Sequence, residues 1–444
     1  MSLVLALINH PMIGGGTAFG ATQLLLVVAS AALFVAGLLG SKVQIQASLG
    51  AVSVILSVLV AEGALRICCY DRFSTAYRLH EKYLYELIPR ASQSFTHIPV
   101  NGGHRVTFSV NVHGFRGPDF ELPRSKHDPA KRVVVYGDSF VHATFSDNES
   151  TFVSRLGYYL QRELGSTVEP INAGVAGYGP DQILLRMERE LRFLEPDLVV
   201  VAVFSGNDFG DLVRNKLFKL NAQEQLMSNE FEVDPEIRRQ FIVAQTELFA
   251  KKLVREAVQS LPTSVSGRRT QVASFNKEEM VSRALNQHLR EYKEYLLDGD
   301  DVVKEMRMDP YSADIAVMPE SESAQYKVAL MQSVMRGITA TADRSGVPIL
   351  YVTIPHPMDV LDGDHDSGFV DRAQFPDYDA DRLSRLSRGL AESTGARSIS
   401  LIEKFRLSDP WSLYFKGGDD HWNDTGQDVA AQYVAEVVLS EGLL

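Results

Sequence analysis

"VVVYGDSFVH", Val133 to His142, decides the fold. Four strand-forming residues, Val133 to Tyr136, run directly into Gly137-Asp138-Ser139. A strand apolar at every position is buried on both faces, which suits a parallel sheet better than a solvated antiparallel one. The stretch poses a choice. Ser139 is either a nucleophile held at the carboxyl end of a strand or an ordinary turn residue.

The same rhythm continues on the C-terminal side. "STFVSRLGYYLQREL" carries Phe152, Leu156, Tyr159 and Leu160 at helical spacing, and "VEPIN" reads as a second strand. "DQILLRMERELRFL" puts Ile183, Leu184, Met187, Leu191 and Leu194 on one helix face ahead of a third strand, "DLVVVAVF". "PILYVTIP" and "RSISLI" are two more strands, each after a helical stretch, and "TGQDVAAQYVAEVVL" closes the chain as a helix. Alternating strands and helices predict an α/β fold with a parallel sheet covered on both faces. The rhythm lapses from about 209 to 322, which shows no convincing strand. Asp234-Pro235 marks one helix start there, and Asn276 with Glu279 another. This segment is expected to be a helical insertion, either a lid or partner surface or a passive elaboration.

Toward the N-terminus the character changes. Lys42 is the only charged residue between Met1 and Ala61. "ATQLLLVVASAALFVAGLLG" (Ala21–Gly40) has no charge and, as a helix, spans about 30 Å, the thickness of a hydrocarbon core. "QASLGAVSVILSVLVAEGALRI" (Gln46–Ile67) is a second such run, ending in Glu62 and Arg66 at helical pairing distance. Residues 1–67 therefore read as a membrane anchor with two transmembrane helices at about 21–40 and 46–67. A connector with short strands follows over 68–130, and the α/β domain covers 131–444. Two spans leave both flanks on one side. The basic residues after the second span would by count place the large domain in the cytoplasm, a weak criterion for large domains.

The chain has 444 residues, a formal charge of −12 and no basic stripe, which argues against a nucleic-acid partner. Cys68 and Cys69 are adjacent and read as small apolar residues, with lipidation beside a membrane as the other reading. No metal-ligand spacing or cofactor motif is present, so none is expected.

A serine hydroxyl needs a base. Of the eleven histidines, His421 in "GGDDHWNDTG" has carboxylates beside it, Asp419 and Asp420, able to fix its tautomer. His142 has no carboxylate placed to orient it, and His356 in "TIPHP" is a candidate pocket wall. "NAGVAGYGPDQ" supplies glycine-rich backbone after the second strand. "FSGNDF" puts Asn207, a neutral donor suited to an oxyanion, after the third. Each alone could be a turn. Together, four polar segments end four crossings of one sheet edge.

These four blocks, "GDSF", "NAGVAGYG", "SGND" and "DDHW" in that order, resemble the SGNH or GDSL-type hydrolases over roughly Arg132 to Leu443. The resemblance implies a flavodoxin-like three-layer α/β/α fold. It makes Ser139 the nucleophile, His421 the base, and the Ser139 amide, Gly177 and Asn207 the oxyanion hole. The family's usual acid position, three before the histidine, is Gly418 here. Asp419 instead matches an Asp-x-His-Trp pattern similar to that of alginate O-acetylation-type proteins, and is taken as the catalytic acid over Asp420. The apolar hairpin and "NVHGFRGP" look like a membrane-anchored bacterial subgroup. That implies an inner-membrane protein with its catalytic domain in the periplasm.

The implied activity is a serine esterase or acyltransferase acting on O-acyl, in particular O-acetyl, groups of an extracytoplasmic polysaccharide. A membrane-bound acyltransferase is a candidate partner. A lipid esterase or lysophospholipase and a non-catalytic subunit of a membrane complex are the alternatives.

Overall fold

A computed structural model describes residues 27, 31, 42–96, 105–125, 130–229, 235–259, 312–361, 373, 376–379, 381–415 and 421–444. The chain divides into two compact units. One comprises residues 1–81, 85–95 and 232–271, the other 82–84, 96–231 and 272–444.

The second unit holds the parallel sheet. Its strands are β1 (Lys131–Tyr136), β2 (Val168–Asn172), β3 (Leu198–Phe204), β4 (Ile349–Ile354) and β5 (Arg397–Ser400). They lie in the order β5-β4-β3-β1-β2, all parallel. Val133–Tyr136 and all of β3 and β4 are buried, as strands covered on both faces must be. Its principal helices are α1 (Ser139–His142), α2 (Phe152–Leu164), α3 (Pro180–Leu194), α4 (Asp208–Asn215), α5 (Glu322–Arg344), α6 (Arg382–Ser393) and α7 (Asp424–Ser440).

The chain steps outward from β1 to β2, then crosses back to β3 and continues the other way. Right-handed crossovers therefore put α2 on one face and α3, α5 and α6 on the other. Packing agrees: α2 lies against α7, and α5 against α3, α4 and α6. The direction of winding reverses between β1 and β3, and that reversal opens a crevice at their carboxyl ends. Ser139 follows β1 and Asn207 follows β3, so topology alone brings them to the crevice.

The segment expected to lack strands contains a short antiparallel pair, Phe218–Leu220 with Leu226–Ser228. Strands of three residues are too short to show alternation, and the turn between them is closed by the Asn221 side chain, which accepts from the Gln223 and Gln225 amides. The helix start read at Asn276 lies outside the described residues.

In the first unit, the helix Lys42–Cys68 packs against the helix Phe249–Gln259, and the helix Pro235–Thr246 against the strand Tyr77–His80. The Glu62 carboxylate accepts from the Phe249 and Ala250 amides at 2.9 and 3.0 Å, so it caps a helix 187 residues away. Arg66 pairs with Glu62 at 2.8 Å, and its guanidinium lies 4.4 Å from the Phe249 ring centroid.

Among the described residues no helix is long and apolar enough to cross a membrane, so the expected transmembrane hairpin is not found there. Its first run, 21–40, falls almost wholly outside the described residues. Its second forms most of the helix Lys42–Cys68 and carries the buried Glu62 and Arg66 near its C-terminal end.

Candidate active site

The turn after β1 is built for close approach. A Cβ on Gly137 would sit 2.3 Å from Val141 Cγ2 and 3.3 Å from the Ala202 side chain, so only glycine lets α1 start this near β3. The Asp138 carboxylate caps α1 by accepting from the Phe140 amide at 2.9 Å. Ser139 is thereby the first residue of a helical turn at the crevice.

His421 arrives from the far end of the chain. The Tyr414–Trp422 bridge and the Phe415 amide, which donates to the His421 carbonyl at 3.1 Å, hold its backbone. Asn423 then caps α7, accepting from the Thr425 and Gly426 amides, while its own amide donates to the Ser412 and Tyr414 carbonyls. Trp422 is buried against Phe140, Phe152 and Phe405. The imidazole stacks on Phe140 and meets the edge of Phe145. In this position His421 Nε2 is 2.8 Å from Ser139 Oγ. A base at that distance is within reach of the hydroxyl proton. Asp419 and Asp420 lie outside the described residues.

Gly177 and Asn207 occupy the loops after β2 and β3. Gly177 has φ +78°, a left-handed conformation that favours glycine. Asn172, the last residue of β2, ties this loop to the Ser139 turn. Its side chain donates to the Val141 carbonyl at 2.8 Å and accepts from the Gly174 amide at 3.0 Å. Asn207 stands at the N-cap position of α4, yet its side chain makes no capping hydrogen bond, and its Oδ1 is buried without a partner among the described residues. Its amide group is therefore not committed to holding the helix. Asp208 folds back to accept from the Phe204 amide at 2.8 Å. Burial, and then the nearby Asp138 and Asp211, push this carboxyl well above the usual carboxylate range.

The other two histidines take structural places. His142 is fully buried, its Nδ1 sits 3.0 Å from Thr144 Oγ1, and burial followed by the Arg116 charge lowers its pKa well below the usual value. His356 stacks on Phe204, and its backbone amide is held by Ser205 Oγ and Asp359 Oδ2.

Three contributors escaped the sequence reading. Arg116, in the "NVHGFRGP" stretch, is buried and donates to the His142, Ala143 and Ser146 carbonyls, gripping the end of the Ser139 turn. Arg214 donates to the Gly177 carbonyl at 2.8 Å. Asp359 collects Ser205, Ser384 and the His356 amide behind the Asn207 loop. An arginine inside a glycine-rich turn motif is a usable signal for Arg116. Arg214 and Asp359 look in sequence like ordinary polar positions of short helices. Among the described residues no group of three or more histidine, cysteine or carboxylate side chains is placed to hold a metal ion.

No family model and no curated protein matches the chain. Among solved structures it is similar to an acetyl xylan esterase, AlAXEase, at 15% identity and a TM-score of 0.31, over 70% of this chain and 98% of that one. An acetylxylan esterase from Geobacillus stearothermophilus is 12% identical with a TM-score of 0.34, over 70% and 95%. A lipase/acylhydrolase from Enterococcus faecalis is 10% identical with a TM-score of 0.31, over 70% and 96%. The functional reading stands on this chain's own sheet order and on the Ser139–His421 contact.

Proposed function

We propose that the protein is an SGNH-type serine esterase or acyltransferase that forms an acyl-enzyme on Ser139. The observation that carries this reading is the 2.8 Å contact between Ser139 Oγ and His421 Nε2 at the sheet's switch point. Ser139 Oγ attacks an ester carbonyl as His421 takes its proton. The oxyanion is met by the Ser139 and Gly177 amides and the Asn207 side chain. His421 then protonates the leaving alkoxide, and Asp419 holds the imidazole in the required tautomer. Attack by water on the acyl-enzyme gives hydrolysis, and attack by a sugar hydroxyl gives transfer.

The substrate we favour is the O-acetyl group of an extracytoplasmic polysaccharide, with the catalytic unit outside the cytoplasm and the N-terminal segment in the bilayer. On the helix Lys42–Cys68, Val54, Val60 and Ile67 are 65%, 71% and 77% exposed, which supports a lipid surround for that helix. The same exposure favours a lipid ester as the second reading.

The test is turnover of a chromogenic acetyl ester and a long-chain ester by the purified protein and by Ser139→Ala. Acetyl preference and a loss of about 10³-fold or more in the variant are expected. Long-chain preference would favour the lipid reading. Unchanged turnover in Ser139→Ala would refute the proposal, and no turnover of either ester by the wild type would leave the fold as a binding subunit.

A further inference from the structure

Resting on the reading of Gly177 and Asn207 as oxyanion donors, we infer that Arg214 is a positioning residue that locks the two donors into one rigid unit. The two ends of α4 each engage one of the two donors. Its N-cap is Asn207. In its last turn, Arg214 Nη2 donates to the Gly177 carbonyl at 2.8 Å, and Nη1 pairs with Asp211 Oδ1 at 2.7 Å. Asp211 is fully buried and its amide donates to the Asn207 carbonyl at 2.9 Å. A continuous chain of contacts thus runs from one donor's backbone through Asp211 and Arg214 to the other donor's peptide.

Gly177 needs such a pin. Glycine has the widest backbone freedom of any residue, so the direction of its N–H is set by outside contacts. The turn from the Tyr178 amide to the Val175 carbonyl, 3.1 Å, fixes one side of the loop. Arg214 fixes the carbonyl of Gly177 itself. The neighbouring Asn215 reinforces the clamp, donating to Asp181 Oδ1 at 3.0 Å and to Gln182 Oε1 at 2.8 Å. Gln182 Oε1 in turn accepts from the Gly179 amide at 3.0 Å. In this arrangement Arg214 acts through Gly177.

The side chain of Arg214 is 36% exposed, which allows chemical rescue. The experiment compares wild type, Arg214→Lys, and Arg214→Ala with and without millimolar guanidinium ion. The readouts are kcat and KM for a chromogenic acetyl ester, the inhibition constant of phenylboronic acid, which adds to a nucleophilic serine to form a tetrahedral adduct, and the melting temperature. Lysine keeps a cation beside Asp211 but cannot serve both partners with a planar fork.

The expected result is a kcat about 10- to 100-fold lower in Arg214→Lys with KM within about two-fold, since small misplacement of a catalytic group costs about that much. The boronate constant should rise in parallel, and guanidinium should restore part of the kcat of Arg214→Ala. A kcat and boronate constant in Arg214→Lys within about two-fold of wild type would overturn the inference, as would a loss of kcat that follows the loss of folded protein while boronate affinity per folded molecule stays unchanged. Either outcome, with Ser139→Ala inactive, leaves the proposed reaction standing. An active Ser139→Ala overturns the reaction and the inference together.

Discussion

Replacing Asp359 by asparagine should make the stability of the catalytic unit less sensitive to pH. Asp359 is fully buried behind the Asn207 loop, where its Oδ2 meets Ser205 Oγ, Ser384 Oγ and the His356 amide. Burial raises its pKa from 3.8 to about 7, against the lowering effect of the hydrogen bonds it accepts. Between those values the folded chain holds a proton that the unfolded chain has lost. Stability therefore falls as pH rises through that window and levels off above about 7. Each pH unit within it is worth about 1.4 kcal/mol, so the wild-type protein should lose roughly 2–3 kcal/mol through this group between pH 5 and pH 8. Asparagine is neutral throughout and of similar shape. Relative to wild type, Asp359→Asn should thus gain roughly 2–3 kcal/mol over the same interval. Urea unfolding followed by tryptophan fluorescence measures this directly, because Trp411 and Trp422 both lie in the catalytic unit. If the two proteins changed in parallel with pH, to within about 0.5 kcal/mol, Asp359 would not be protonated in the folded state and the reasoning would fail.

Three further outcomes are expected. Asn207→Ala should lower kcat by about 10²–10³-fold with KM nearly unchanged and little change in melting temperature, because the side chain makes no capping bond; normal turnover removes Asn207 from the site. Asp419→Asn should cost far more activity than Asp420→Asn, up to about four orders of magnitude; equal losses, or a worse Asp420→Asn, would reverse the assignment. A phosphatase active only in the periplasm, fused after Leu444, should be active in cells, whereas strong activity of a cytoplasm-only reporter at that position would reverse the proposed topology.

How much could be read from the chain follows from the range of each interaction. The three inner strands are legible because a strand covered on both faces is a continuous apolar run, as in "LVVVAVF" of β3, whereas the edge strands "VEPIN" and "RSIS" are legible only from the helical stretches that alternate with them. The segments carrying Ser139 and Asn207 are legible because each follows such a run, and the Gly177 segment because its glycines follow the strand "VEPIN". The pairing of Phe218–Leu220 with Leu226–Ser228 was not, since three residues carry no period. Glu62 and Arg66 could be recognised as a pair one helical turn apart. Their engagement with Phe249 and Ala250 depends on residues nearly two hundred positions away and leaves no local trace. Arg214 is hidden for a related reason: an arginine near the end of an amphipathic helix has the same appearance whether it faces water or a glycine carbonyl.

The carboxylate of Glu62 has a consequence for how this protein can change over evolutionary time. It serves the first turn of the helix Phe249–Gln259 with two amide contacts, and Arg66 covers the adjoining Phe249 ring. A lineage that shed the N-terminal helix would leave that turn uncapped and that ring without its cation, and one that shed the insertion would take from Glu62 the two amides it accepts from. The two segments, far apart in the gene, are therefore expected to be gained and lost together, and a chain that keeps the N-terminal helix without the insertion is expected to have lost the Glu62–Arg66 pair.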